Sequence, residues 1–113
     1  MPSTPPIDRM FQAFAEPTRL RILHLLTRGE LCVCDLMDTL QVSQPKVSRH
    51  LAYLKASGLV SDRRDGLWKH YSLTRSEGKF HRKLIQCLKT CFDEVDVLKR
   101  DLARLKRARQ KTC

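Results

Sequence analysis

The sequence lacks the long apolar segments and the motifs that mark several classes of protein. No apolar run approaches the roughly 18 residues that a membrane-spanning helix requires. Residues 1–7 have neither the basic start nor the apolar stretch of a signal peptide. The chain contains no glycine-rich phosphate-binding loop and no His-Glu-x-x-His motif. We therefore expect a cytoplasmic protein without a membrane span, and the sequence predicts neither an enzyme nor an organic cofactor.

Acidic residues are also scarce, which leaves a large positive excess. The 113 residues include 12 Asp and Glu against 22 Lys and Arg, for a formal net charge of +10. This length predicts a single domain over residues 1–113, and the charge favours a polyanionic partner. Nucleic acid is a better candidate than a membrane surface because no basic amphipathic segment stands alone at a terminus.

Apolar residues recur at helical spacing in the first half of the chain and predict four short helices. Pro17 suits the first turn of the second helix, and Gly29 suits its end. The third helix is expected to open at Cys32. Ser43 is typical of a helix cap, with Pro45 tolerated in the first turn of the fourth helix. The third and fourth helices together predict a helix-turn-helix.

The pattern then changes to that of a hairpin. Two short runs of strand character flank Asp65-Gly66, a dipeptide that allows the positive φ angles of a tight turn. A hairpin after a helix-turn-helix is typical of the winged helix-turn-helix, a mainly α fold with a small β-hairpin wing. We expect a DNA-binding core over residues 7–75, with the wing over residues 59–73.

The last third of the chain predicts one long helix over residues 76–107, followed by a tail over 108–113. Its apolar residues alternate in steps of four and three, a coiled-coil-like spacing that favours packing against a second copy. These residues are Leu84, Leu88, Cys91, Val95, Leu98, Leu102 and Leu105. The spacing predicts a homodimer joined through this helix. Asp101 is the one acid between Lys99 and Lys111, and that basic stretch is interpreted as a solvated face.

The fourth helix and the hairpin carry the candidate DNA contacts. With Val47, Leu51 and Leu54 turned inward, the helix presents its polar residues outward, where Arg49 can form a bidentate contact with guanine. The hairpin places basic side chains around its tip, which suits contact with the DNA backbone or minor groove. The predicted DNA-binding residues are Ser43, Gln44, Lys46, Ser48, Arg49, Arg63, Arg64, Lys69 and His70.

Three stretches of this sequence resemble the ArsR/SmtB family of metal-sensing repressors. They are ELCVCDL at 30–36, SQPKVSRHLAYLKASGLV at 43–60 and DGLWKHYSL at 65–73, and AEPTRLRIL at 15–23 supports them. Within the family they are most similar to the arsenical and antimonial repressors. The resemblance implies a homodimer that occupies a palindromic operator in its own promoter and leaves it when a metal or metalloid binds.

The five cysteines are an odd number, and a reducing compartment makes them candidate thiolates rather than disulfides. Cys32 and Cys34 open the third helix. In an intact helix, residues two apart diverge by roughly 200°, so one ion can bind both sulfurs only where the helix start is irregular or becomes so. The hypothesis is that binding distorts this turn and tilts the fourth helix.

Soft thiolates select soft ions, and trivalent arsenic and antimony favour three of them. The resemblance implies a third cysteine three residues after the pair, but this chain has Met37 there. Cys113 is the leading candidate for the third ligand and could come from the partner subunit. Cys91 is the second choice. The alternative interpretation of Cys91 is a small buried hydrophobic residue, because it falls among the apolar residues predicted to pack against the second copy. Cys87 and Cys91 could instead form a separate site.

The expected function is a homodimeric repressor that binds double-stranded operator DNA and is released by As(III) or Sb(III). One alternative is a sensor of cadmium, lead or zinc; such family members add cysteines from an N-terminal arm, whereas residues 1–31 contain none. A second alternative is a repressor switched by thiol oxidation, and a third is a constitutive architectural DNA binder. His24 and His50 lie on amphipathic helices and are expected to pack rather than to bind metal.

Overall fold

The structure is a computed structural model, and it describes residues 7–76 and 78–108. Within these residues the chain forms six helices and a three-stranded sheet. The helices are α1 (Ile7–Ala15), α2 (Pro17–Leu26), α3 (Val33–Leu40), α4 (Gln44–Ala56), α5 (Lys79–Thr90) and α6 (Asp96–Ala108), and the strands are β1 (Leu31–Cys32), β2 (Val60–Asp65) and β3 (Trp68–Leu73).

The helix boundaries follow from local side-chain chemistry. Helix α2 starts with Pro17, as predicted, and the carboxylate of Glu16 accepts a hydrogen bond from the Arg19 N–H at 2.7 Å. Ser43 precedes α4 as predicted, although its hydroxyl makes no capping hydrogen bond. Helix α3, which lies between α2 and α4, ends where Gln41 adopts a left-handed conformation with φ of 58°. This reversal forms the turn of the helix-turn-helix.

The wing belongs to a larger sheet than the sequence predicted. Strands β2 and β3 form the expected hairpin, with Asp65 opposite Trp68 and Gly66 at a φ of +63° in the turn. The short strand β1 pairs antiparallel with β3 on its other side, with Leu31 opposite Tyr71. The segment just before α3 is therefore hydrogen-bonded to the wing.

A core of leucine and isoleucine side chains lies between the helices and the sheet. Helix α2 crosses its centre, with Ile22, Leu23 and Leu25 fully buried. The inward stripe of α4 is also fully buried, as predicted from Val47, Leu51 and Leu54. This burial fixes which face of α4 points outward. No helix in residues 7–76 and 78–108 is long and apolar enough to cross a membrane.

The prediction of a single helix over residues 76–107 is wrong. The chain breaks at residues 91–95, and α6 folds back against α2 and α3 of the same chain. Leu98 and Leu105, assigned to a seam with a second copy, are 1% and 3% exposed in the core of their own subunit. A continuous helix would have carried them away from that core, so burial of the apolar face of α6 favours the break.

Candidate nucleic-acid interface and thiol pair

The outward face of α4 carries most of the residues predicted to contact DNA. Ser43, Gln44, Lys46 and Arg49 are exposed, whereas Ser48 is half-buried. Lys46 and Arg49 form no hydrogen bond or ion pair with any residue that the structure describes. Their charges are therefore available to a polyanion.

Two of the basic side chains of the wing that were predicted to contact DNA are paired with carboxylates of the same chain. The guanidinium of Arg63 donates to both carboxylate oxygens of Glu30, at 2.8 and 2.7 Å, and this hydrogen bonding lowers the pKa of Glu30. Lys69 lies 3.3 Å from the carboxylate of Asp62. Arg64 is exposed and, among the described residues, has no carboxylate partner.

Asp62 links the wing to α4. Its carboxylate accepts from Lys55 of α4 at 3.0 Å as well as from Lys69 of β3. The hydrogen bond from Lys55, more than the one from Lys69, lowers the pKa of Asp62. The sequence interpretation missed both Lys55 and Asp62, because their pairing depends on the fold and no local pattern marks it.

The thiol pair lies at the junction between the sheet and α3. Cys32 is the last residue of β1, opposite His70 of the wing, and Cys34 is the second residue of α3. Their sulfurs are 3.1 Å apart. The backbone N–H of Cys32 donates to the carboxylate of Asp35 at 3.3 Å. Because Cys32 stands outside the helix, the start is irregular and the two sulfurs converge instead of diverging.

The two cysteines of the pair have different environments. Cys32 is 5% exposed, and its burial raises the pKa of its thiol. Cys34 is half-buried and lines a groove. The pair thus has one sulfur fixed in the core and one at the surface.

The other cysteines lie elsewhere or outside the described residues. Cys91 follows the last residue of α5 and is exposed in the single chain. A hydrogen bond between Cys87 and Cys91 raises the pKa of Cys87. Cys113 lies outside the described residues. In residues 7–76 and 78–108, no group of three or more His, Cys, Asp or Glu side chains could hold a metal ion.

A groove of about 650 Å³ lies between α3, α4 and the wing. It brings Cys34 of α3 and Ser48 of α4, one of the residues predicted to contact DNA, to one surface. Its lining includes Val33, Cys34, Met37, Gln44, Ser48, Leu51, Ala52, Lys55, Asp62, Arg64, Trp68 and Tyr71. The sequence interpretation did not foresee this groove.

The histidines of the amphipathic helices pack against protein, as the sequence indicated. His24 is 7% exposed and meets Phe92 edge to face, with ring centroids 6.4 Å apart. Burial lowers the pKa of His24. His50 has its Nδ1 3.8 Å from the carboxylate of Glu16.

Comparison with known proteins decides the family. Residues 16–62 match the profile described as bacterial regulatory protein, arsR family. The chain is 47% identical over 98 residues to the arsenical resistance operon repressor of Escherichia coli (strain K12), covering 85% of this chain and 84% of that protein. The chain belongs to the ArsR family. It is a transcriptional repressor and not an enzyme, as the sequence predicted.

Solved structures of ArsR-type regulators show the same fold. HlyU from Vibrio cholerae N16961 superposes with a TM-score of 0.68 at 31% identity, covering 77% of this chain and 91% of that one. The transcriptional repressor BigR from Xylella fastidiosa gives a TM-score of 0.66 at 25% identity, covering 95% and 89%. The prediction of a winged helix-turn-helix is confirmed, and ArsR repressors with this fold bind operator DNA.

Proposed function

We propose that this ArsR repressor is a homodimer released from operator DNA when trivalent arsenic or antimony binds Cys32 and Cys34. The observation that carries the proposal is the 3.1 Å separation of their sulfurs. Two sulfurs bound at about 2.3 Å to one pyramidal atom lie roughly 3.3 Å apart, whereas tetrahedral zinc holds them roughly 3.8 Å apart. Small side-chain movements would bring the two sulfurs to either distance, so the pair suits a single soft ion.

Two further observations support a metalloid inducer. The similar protein from Escherichia coli is named an arsenical resistance operon repressor. Both ligand atoms here are soft sulfurs, which suit thiophilic elements. We assign Cys113 as the third thiolate, from either subunit, with Cys91 as the second choice.

Helix α4 is the element that we place in the major groove. Its exposed Arg49 would reach base edges, with Gln44 and Ser48 alongside. Arg64 of the wing would contact the neighbouring backbone or minor groove. Arg63 and Lys69 support the wing through their carboxylate partners, so their share in DNA contact is smaller than composition predicted.

The position of the thiol pair supports a route from binding to release. Cys34 lies in the first turn of α3, and α3 packs against α4. An atom bound to both sulfurs would constrain that turn and shift α4 away from its DNA-bound orientation. Coupling of about 1–3 kcal/mol, or roughly 5–150-fold in affinity, is typical of such linkage.

An exposed apolar patch of α1 and α5 supports the homodimer. Phe11 is 55% exposed and Ile7 is 41% exposed, and Phe11 meets Phe80 of α5 edge to face at 5.4 Å. A patch of this kind is typical of an association surface. We place the two-fold contact here, in place of the continuous helix that the sequence predicted.

Fluorescence anisotropy on labelled promoter DNA tests the proposal. Under reducing conditions, arsenite or antimonite should release the wild-type protein. The Cys32→Ser and Cys34→Ser variants should bind DNA normally and remain bound when either metalloid is added. Cys87→Ser is the matched control and should behave as wild type. Release of Cys34→Ser by arsenite would contradict the site, and release of the wild type by cadmium or zinc alone would indicate a divalent sensor.

A further inference from the structure

A second cavity, of about 360 Å³, lies where the end of α2 meets the break between α5 and α6. Its lining includes neither Cys32 nor Cys34. We propose that this cavity binds a phosphate dianion, either free phosphate or the phosphate group of a small phosphomonoester. The inference does not depend on the proposed function, because it uses other residues.

Three basic side chains line the cavity from three segments of the chain. Arg28 follows the end of α2, Lys89 lies in the last turn of α5, and Lys99 lies in the first turn of α6. None of the three forms an ion pair or a side-chain hydrogen bond with a residue that the structure describes. Asp93 is the one acid among the described residues of the lining. Three cations and one acid leave a formal charge of +2 while His24 is neutral, and a dianion would balance it.

Helix electrostatics explain two of these cations but not the third. The C-terminal end of a helix carries a partial negative charge and favours nearby cations, which accounts for Arg28 and Lys89. The N-terminal end carries a partial positive charge and disfavours them. Lys99 is the fourth residue of α6, so the dipole of its own helix does not explain its place in the lining. A bound anion would interact favourably with Lys99 and with this helix end.

His24 supplies a second, independent observation. It borders the cavity, it is 7% exposed, and its Nδ1 is buried without a hydrogen-bond partner among the described residues. A buried nitrogen without a partner costs free energy, and an oxyanion would accept a hydrogen bond from the imidazole. Burial lowers the pKa of His24 and the charge of Arg28 lowers it further, whereas Asp101 and Asp93 raise it. A dianion beside the ring would raise this pKa.

The apolar part of the lining suits the organic group of a phosphomonoester. Phe92 and Leu102 border the cavity and are half-buried, so an organic group resting there would cover apolar surface that now faces solvent. The volume of about 360 Å³ is near the lower end of the range for small-molecule sites. The cavity therefore suits a small compound.

Isothermal titration calorimetry with inorganic phosphate tests the proposal, in Tris buffer under reducing conditions, with sodium chloride holding the ionic strength fixed. Lys99→Gln should weaken phosphate binding about tenfold, the scale of one lost hydrogen bond to a charged group. Lys106→Gln is the matched control, because it removes the same charge from another exposed lysine of α6 that does not line the cavity. Lys46→Gln is the control for the DNA-facing surface of α4. Neither control should change the affinity for phosphate.

The imidazole of His24 gives a readout that a change of surface charge alone would not move. In nitrogen-15 NMR spectra of the histidine rings, the His24 resonances should shift on saturation with phosphate at constant pH, and those of His70 in the wing should not. Phenyl phosphate is titrated in parallel. Tighter binding of phenyl phosphate identifies a phosphomonoester as the ligand, and equal or weaker binding identifies free phosphate.

The outcomes separate this inference from the proposed function. Equal phosphate affinity in the wild type and Lys99→Gln would overturn it, as would His24 resonances that stay in place at saturation. Losses in Lys106→Gln or Lys46→Gln as large as that in Lys99→Gln would assign phosphate to the general basic surface and overturn it too. Release from the operator by arsenite, which is assigned to Cys32 and Cys34, would stand in each of these cases.

Discussion

Removing one partner of the ion pair between Arg21 and Asp101 should destabilise the protein strongly. The guanidinium of Arg21 donates to both carboxylate oxygens of Asp101, at 2.8 and 2.9 Å, and to the carbonyl oxygen of Leu40 at 3.4 Å. One side chain of α2 thereby joins α6 to the end of α3. The Asp101 side chain is 0% exposed, and that of Arg21 is 18% exposed.

The difference in burial sets the expected magnitudes. Arg21→Ala leaves a fully buried carboxylate without its cation, and we expect a loss of about 3–5 kcal/mol in the free energy of unfolding. Asp101→Ala leaves a guanidinium that can turn towards water, with an expected loss of about 1.5–3 kcal/mol. The more exposed pair of Lys55 and Asp62 provides the comparison, and Lys55→Ala should lose less than about 1 kcal/mol.

Urea unfolding followed by far-ultraviolet circular dichroism measures these differences, at neutral pH and a fixed protein concentration because a dimer couples stability to concentration. The double variant Arg21→Met, Asp101→Leu replaces the pair with apolar side chains and should recover most of the loss. A loss below about 1 kcal/mol in Arg21→Ala would refute the reasoning. The reasoning would also be refuted if the double variant lost as much free energy of unfolding as the two single variants lose together.

Three further predictions concern DNA binding, pH and assembly. Arg49→Ala should weaken specific operator binding by about 1–3 kcal/mol in anisotropy titrations. Lys106→Ala on α6 is the control. Equal losses of operator affinity in the two variants would show that Arg49 does not contact the bases. Because burial lowers the pKa of His24 from its usual 6.5, the folded state favours the neutral ring, and stability should fall as the pH drops below 6.5 towards the lowered value. His24→Phe should flatten that part of the profile of melting temperature against pH, and an unchanged slope would assign it to other groups. Phe11→Ser should shift the protein towards the monomer in sedimentation, and an unchanged dimer would place the contact elsewhere.

Much of the DNA-binding core could be predicted because its signals are local. Pro17 and Ser43 mark the starts of α2 and α4 within a single turn, and Asp65-Gly66 marks the hairpin. The outward face of α4 followed from the period of its apolar residues alone. In α4 the apolar residues recur at a spacing that a helix satisfies and a strand does not.

The remaining features depend on contacts between distant segments. Steps of four and three predict an apolar face but not its partner, so Leu98 and Leu105 fitted a second copy as well as their own core. Asp101, interpreted as part of a solvated face, meets Arg21 from 80 positions away. Strand β1 was missed because two residues carry too little pattern to indicate pairing. The convergence of Cys32 and Cys34 depends on that strand.

The strand–helix junction at the thiol pair has a mechanical consequence. Cys32 belongs to the sheet that carries the wing, and Cys34 belongs to α3. A single atom bridging the two sulfurs would close a small covalent ring around Val33 and lock the angle between sheet and helix. The inducer would then hold the wing and α3 in one relative orientation, and the proposed shift of α4 would follow from this constraint rather than from a change of charge.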